Sequence, residues 1–170
     1  MRSLLTLLFI VVFNLPSFSQ NAEDTAETTT YYFIRHAEKD RSDKTNRNPN
    51  LTEAGKTRAI HWSEIFQNVK FDAVYSTQYN RTIQTATPTA EKNKLELQYY
   101  DPRTLYSEDF SEATRGKTVL VVGHSNTTPA FVNMILKDRK YPDIDDNNNG
   151  NLYIVTISEG HITDLVLTLN

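Results

Sequence analysis

The sequence predicts an α/β fold: a three-layer α/β/α sandwich with a mostly parallel central sheet and a C-terminal antiparallel hairpin at the edge. Three observations carry this expectation. Short apolar runs, "YYFI" (31–34), "FDAVY" (71–75) and "VLVV" (119–122), alternate with longer segments of helical character, as in parallel strands buried beneath helices on both faces. Trp62, Ile65, Phe66 and Val69 recur at i, i+3, i+4 and i+7, and Phe131, Val132, Ile135 and Leu136 make a similar stripe, so both segments read as helices with one core-facing side. Finally, "NLYIVTI" (151–157) and "HITDLVLTL" (161–169) flank Glu159-Gly160, the pattern of two strands joined by a tight turn.

Taken in order, the chain opens with Met1, the basic Arg2, an apolar run from Leu4 to Phe13, then Pro16 and the small residues Ser17 and Ser19. This is the layout of a secretory signal, so residues 1–19 are expected to be removed and the protein exported, periplasmic or secreted. The apolar run is short for a membrane span of roughly 20 residues, so no stable membrane insertion is expected after cleavage. Residues 20–30 read as a polar leader, which leaves 31–170 as one domain of ordinary size. Thr52 is a natural N-cap for the helix that follows it, a second helix starts at Asn80, and a shorter one is expected over Leu105–Thr114. Pro129 suits the opening turn of a helix that begins near Thr127. There are no internal repeats.

Composition narrows the function. The absence of cysteine removes disulfides, thiol nucleophiles and thiolate metal sites. With 18 Lys+Arg against 21 Asp+Glu, and no basic block, non-specific nucleic-acid binding is not expected. Any positive site must be local.

Such a site is legible at the strand ends. Arg35 and His36 follow "YYFI", and Gly123 and His124 follow "VLVV". In an open parallel sheet, ligands bind in the crevice outside the carboxyl ends of the strands, so the two histidines should converge there. The segment "VYSTQYNRTIQTA" (74–86) also leaves a strand and brings Arg81 into the first turn of a helix near the same edge. Singly, each of these residues reads as a solvated charge or an ordinary histidine. Together, two arginine forks, two imidazoles and the helix amides after "GHSNTTP" favour an oxyanion, a phosphoryl group above a carboxylate.

"IRHAEK", "NPNLTEAGKTRA", "DAVYSTQYNRTIQTA" and "VLVVGHSNTTP", in that order, resemble branch 1 of the histidine phosphatase superfamily, the phosphoglycerate-mutase-like group. The resemblance covers residues 31 to about 136 and implies a small phosphorylated substrate, no cofactor and no metal. It implies that His36 is the nucleophile of a phosphohistidine intermediate, with Arg35, Arg81 and His124 holding the transferred group. That agrees with the residues themselves, because phosphoryl transfer is mainly positioning and charge neutralisation. Two features depart from the group: Ala37 stands where glycine is usual, and the long insertions of mutases are missing.

The proton donor is not fixed by the sequence. Glu38, beside the nucleophile, and Asp101, in "YYDPRTL", are the preferred candidates, with Glu108 and Asp109 behind them; Asn126 is a candidate substrate contact. The loop 38–50 could form a collar over the site. His61 and His161 are expected at ordinary surface or core positions. In "DIDDNNNGNLYIVT" (143–156), Asp145, Asn147, Asn149 and Gly150 fit the start of a calcium loop, but Thr156 stands where a bidentate glutamate is needed, so a polar turn is the expectation. The resulting reading is an exported, metal-independent phosphatase. Its alternatives are a non-catalytic phosphate binder and a phosphohistidine-protein phosphatase, the latter suited to a site without an acid.

Overall fold

The computed structural model describes residues 27–169, so the expected signal segment 1–19 and most of the expected leader 20–30 lie outside the described residues. Six strands and four helices follow one another as β1 (Thr29–Arg35), α1 (Glu53–Ile65), β2 (Ala73–Ser76), α2 (Asn80–Lys92), β3 (Leu97–Tyr99), α3 (Glu108–Thr114), β4 (Thr118–Gly123), α4 (Thr127–Leu136), β5 (Asn151–Ser158) and β6 (His161–Thr168). The strands form one mixed sheet in the order β3-β2-β4-β1-β5-β6. Pairings β1·β4, β2·β4 and β2·β3 are parallel, whereas β1·β5 and β5·β6 are antiparallel. The expected sandwich with its edge hairpin is the observed fold.

Alternation of side chains along the strands builds two cores, one on each face of the sheet. Tyr31, Phe33, Val119, Val121, Tyr153 and Val155 pack beneath Phe110 of α3 and Phe131, Val132 and Ile135 of α4. On the other face Ile34, Val74, Leu120, Val122 and Leu152 pack beneath Trp62 and Phe66 at the end of α1 and Ala86 and Ala90 of α2. Both predicted helical stripes therefore face the sheet, although α1 ends at Ile65 and Val69 lies in the turn beyond it. Thr52 caps α1 as expected, its hydroxyl accepting from the Gly55 amide at 3.0 Å. The hairpin turn places Glu159 and Gly160 both at positive φ (52° and 76°), the twist that a two-residue connection between right-twisted strands requires.

Three boundaries differ from the sequence reading. β1 begins two residues inside the expected polar leader: Thr29 is buried and its hydroxyl accepts from the Gly116 amide at 2.8 Å, so cross-sheet hydrogen bonding claims a polar segment. The helix expected over Leu105–Thr114 starts only at Glu108, where Ser107 caps it. β3 was not expected at all, because its three residues sit at the sheet edge, partly exposed, without an apolar run.

Candidate active site

β1 and β4 are neighbours in register, with Arg35 opposite Gly123, and the His36 amide donates to the Gly123 carbonyl at 2.9 Å. Parallel pairing thus brings Arg35-His36 and Gly123-His124 to one edge of the sheet, as their strand-end positions predicted. α2, which follows the next strand over, contributes Arg81 from its first turn. Arg35, His36, Arg81 and His124 all line a single cavity of about 320 Å³, together with Lys39, Tyr79 and the start of α4.

The two imidazoles are held in defined states. His36 is 3% exposed, and its Nδ1 lies 2.7 Å from the Ala37 carbonyl. A carbonyl only accepts, so Nδ1 carries the proton and Nε2 keeps a free lone pair. The backbone around it is fixed as well: the Ala37 amide donates to Thr85 Oγ1 at 2.9 Å, and Asn149 Nδ2 donates to the His36 carbonyl at 2.8 Å. His124 has the opposite tautomer. Arg81 Nη2, which only donates, faces its Nδ1 at 3.4 Å, so Nε2–H donates to Thr77 Oγ1 at 3.0 Å. The rings meet edge to face with centroids 5.5 Å apart. Burial first, and then the positive charge of neighbouring groups, pushes His36 from 6.5 down to about 3 and His124 from 6.5 down to about 4. Both are therefore neutral at neutral pH.

The arginines differ from the simple picture of two open forks. Arg35 is 1% exposed and its terminal nitrogens are occupied. Nη1 donates to the carbonyls of Asp145 (2.8 Å), Asp146 (3.2 Å) and Asn148 (2.9 Å), and Nη2 donates to Asp146 Oδ1 at 2.7 Å. The Asp-Asn-rich segment that invited a calcium reading is thus a collar around Arg35, its carbonyls turned onto the guanidinium. At this cavity three buried N–H groups of the arginines keep no protein partner: Arg35 Nε and Arg81 Nε and Nη1. Buried donors without acceptors are costly, and a cavity lined by several of them suits an acceptor-only group. With Nδ1 and Nε2 of the histidines settled, these donors specify an oxyanion.

Asp146, which sequence reasoning missed, is the only carboxylate lining this cavity among the described residues. It also pairs with Arg41 at 2.8 Å, and hydrogen bonds from Arg41 and Arg35 hold its carboxyl well below the usual carboxylate range. The preferred acid, Glu38, is not at the cavity: its carboxylate turns towards α1 and accepts from Arg58 Nε at 2.8 Å. The cause is local, since the Glu38 carbonyl accepts from the Thr52 amide at 2.8 Å and the start of α1 packs against it. Asp101 lines a neighbouring depression and is chelated by Arg103, whose hydrogen bonds lower its pKa. Glu108 and Asp109 are exposed in the first turn of α3, away from the cavity lining. Asn126 does line the cavity, as the α4 N-cap residue whose side chain makes no cap hydrogen bond. His61 and His161 are both exposed at a distance from the site lining.

The family model for the histidine phosphatase superfamily (branch 1) matches residues 31–102, the part of the chain that carries Arg35, His36 and Arg81. Among solved structures the chain resembles the protein histidine phosphatase SixA complexed with tungstate, at 16% identity and a TM-score of 0.64, over 82% of this chain and 96% of that one. It resembles phosphoglycerate mutase from Bacillus anthracis at 16% identity and 0.63, over 85% and 93%. A phosphoserine phosphatase variant from Entamoeba histolytica in complex with phosphoserine matches at 16% identity and 0.62, over 80% and 94%. No curated protein sequence matches this chain. The family model thus covers the first part of the described chain, and these solved structures share its fold over most of its length.

Proposed function

We propose that the protein hydrolyses a phosphomonoester through a phosphohistidine at His36. The observation that carries this reading is the convergence of a neutral, tautomer-fixed His36 with the unpartnered N–H groups of Arg35 and Arg81 around one small cavity. In the first step His36 Nε2 attacks phosphorus in line, the phosphorus–oxygen ester bond breaks, and the leaving oxygen takes a proton. Arg35 Nε and the free N–H groups of Arg81 meet the charge on the transferring oxygens, His124 lies beside them and holds Arg81 Nη2 through its Nδ1, and Asn126 at the rim is a further substrate contact. In the second step water attacks phosphorus, the phosphorus–nitrogen bond breaks, inorganic phosphate leaves and His36 regains its lone pair. The guanidinium groups supply the positive charge these steps require, so the reaction is proposed to run without a metal or cofactor.

Asp146, ionised between two arginines, is a poor donor for the leaving oxygen, so its proton comes from solvent and substrates with good leaving groups are favoured. The same feature supports a second reading, a phosphohistidine-protein phosphatase, because a phosphoramidate nitrogen protonates readily without a positioned acid. Export is proposed from the N-terminal 19 residues alone, and the mass of the protein recovered from fractionated cells tests it: an uncleaved N-terminus in the cytoplasmic fraction overturns it.

The test of function is hydrolysis of an aryl phosphate and of phosphohistidine peptide in excess EDTA, with His36→Ala in parallel. Turnover that survives EDTA and disappears in the variant is expected, and the faster substrate separates the two readings. Equal turnover by the variant overturns the assignment of His36. Tight oxyanion binding without turnover of either substrate turns the protein into a phosphate binder.

A further inference from the structure

Next to the phosphoryl cavity lies a larger one of about 870 Å³, formed by the loop over residues 39–49 and sharing Lys39, Tyr79 and Arg81 with it. Five cations line this second cavity, Lys39, Arg41, Lys44, Arg47 and Arg81, against the two carboxylates of Asp40 and Asp43. Those carboxylates are turned into their own loop. Asp40 Oδ1 accepts from the Ser42 amide at 2.9 Å, and Asp43 Oδ1 accepts from the Thr45 amide at 2.8 Å and its hydroxyl at 2.6 Å. Lys39, Lys44 and Arg47 make no ion pair among the described residues.

A loop of charged residues is ordinarily a solvated one, but this loop is anchored. The Asp40 amide donates to the Asn50 carbonyl at 2.8 Å, and the Asn80 amide at the start of α2 donates to Asn48 Oδ1 at 2.8 Å. Arg41 is pinned to Asp146. Like charges are thereby gathered around a concave surface in a chain whose net charge is −3. Burial, and then the positive charge of Arg41 and Arg81, lowers the pKa of Lys39 although the Asp146 carboxylate opposes the shift.

We propose that this cavity is a second anion subsite, which takes a phosphate or carboxylate carried on the leaving group, so that the substrate is a phosphomonoester with a second negative group. The inference rests on the phosphoryl-pocket reading above and narrows its substrate class. Lys39 and Arg81 stand between the two subsites and contact both anions, while Lys44 and Arg47 serve the second alone.

Calorimetric binding of alkane-1,ω-bisphosphonates of increasing chain length, each against the alkylphosphonate of equal length, tests this, with ω-phosphonocarboxylates as a third series. At one or more lengths the bis-anion is expected to bind at least tenfold tighter than its mono-anionic partner. Substituting Lys44→Gln and Arg47→Gln together should reduce that ratio below threefold, with thermal unfolding confirming that the variant is folded. A ratio near one at every length, or a ratio untouched by the double substitution, overturns the subsite. Aryl phosphate turnover in the same buffer keeps the two readings apart. An enzyme that turns over aryl phosphate without preferring bis-anions refutes the subsite alone, and a protein that neither turns over nor binds refutes both.

Discussion

Acidification should destabilise this protein through its two site histidines before its carboxylates titrate. Both have folded-state pKa values depressed below 6.5, to about 3 for His36 and about 4 for His124. The unfolded chain therefore binds protons that the folded one refuses. Stability is full above about pH 6.5 and falls as pH drops towards the folded values. At pH 4.5 the unfolded imidazoles are almost wholly protonated and the folded ones largely are not, which amounts to about 2.5 kcal/mol for each histidine relative to pH 7, or about 5 kcal/mol together. Against a domain stability of roughly 5–15 kcal/mol this is a large fraction. Urea unfolding followed by circular dichroism at pH 7 and pH 4.5, in phosphate-free buffer because a bound oxyanion would favour the protonated rings, measures the loss. His36→Gln and His124→Gln should each reduce the pH-dependent loss by about half. Both variants losing as much stability as the parent protein between those pH values would refute the reasoning.

Other outcomes follow from the same geometry. If His36 is the proposed nucleophile, the acid limb of kcat/KM for an aryl phosphate should lie below pH 5 rather than near 6.5, because His36 is held near 3 by burial; a limb centred at 6.5 would mean a solvated His36. Asp146→Asn removes the negative charge from the cavity lining while the carbonyls of Asp145, Asp146 and Asn148 still hold Arg35. At roughly 8 Å and an effective dielectric near 20 that charge opposes an oxyanion by about 2 kcal/mol before screening. Tungstate should therefore bind several-fold tighter to the variant at low salt, and weaker binding would show that the carboxylate's main effect is to position Arg35. Gly55→Ala places a methyl group onto the Glu38 carbonyl oxygen. It should cost about 1–3 kcal/mol in urea unfolding and lower turnover by displacing the segment after His36.

Strand-end chemistry was legible in the sequence because it depends on local order. Short apolar runs define the strands, the residues immediately after them must emerge at the carboxyl edge, and parallel pairing then gathers those edges. Arg35, His36, Arg81 and His124 could be placed together without knowing the strand order. The exposed short strand β3 left no such trace. For Glu38, adjacency to His36 in sequence is not adjacency to the cavity in space: the residue after a strand end turns with the backbone, and the α1 N-terminus draws Glu38 towards Arg58.

By itself the sequence determined the fold class, the edge of the sheet that carries the site and the four side chains that converge there, since period, propensity and strand termini are properties of neighbouring residues. Only the tertiary structure decided how those side chains are held. The tautomers of His36 and His124, the enclosure of Arg35 by a segment 110 and more residues away, the place of Asp146 in the cavity and the gathering of cations beneath the 39–49 loop are long-range contacts. Such contacts exist only once the two cores have fixed the distances between loops, and no local pattern encodes them.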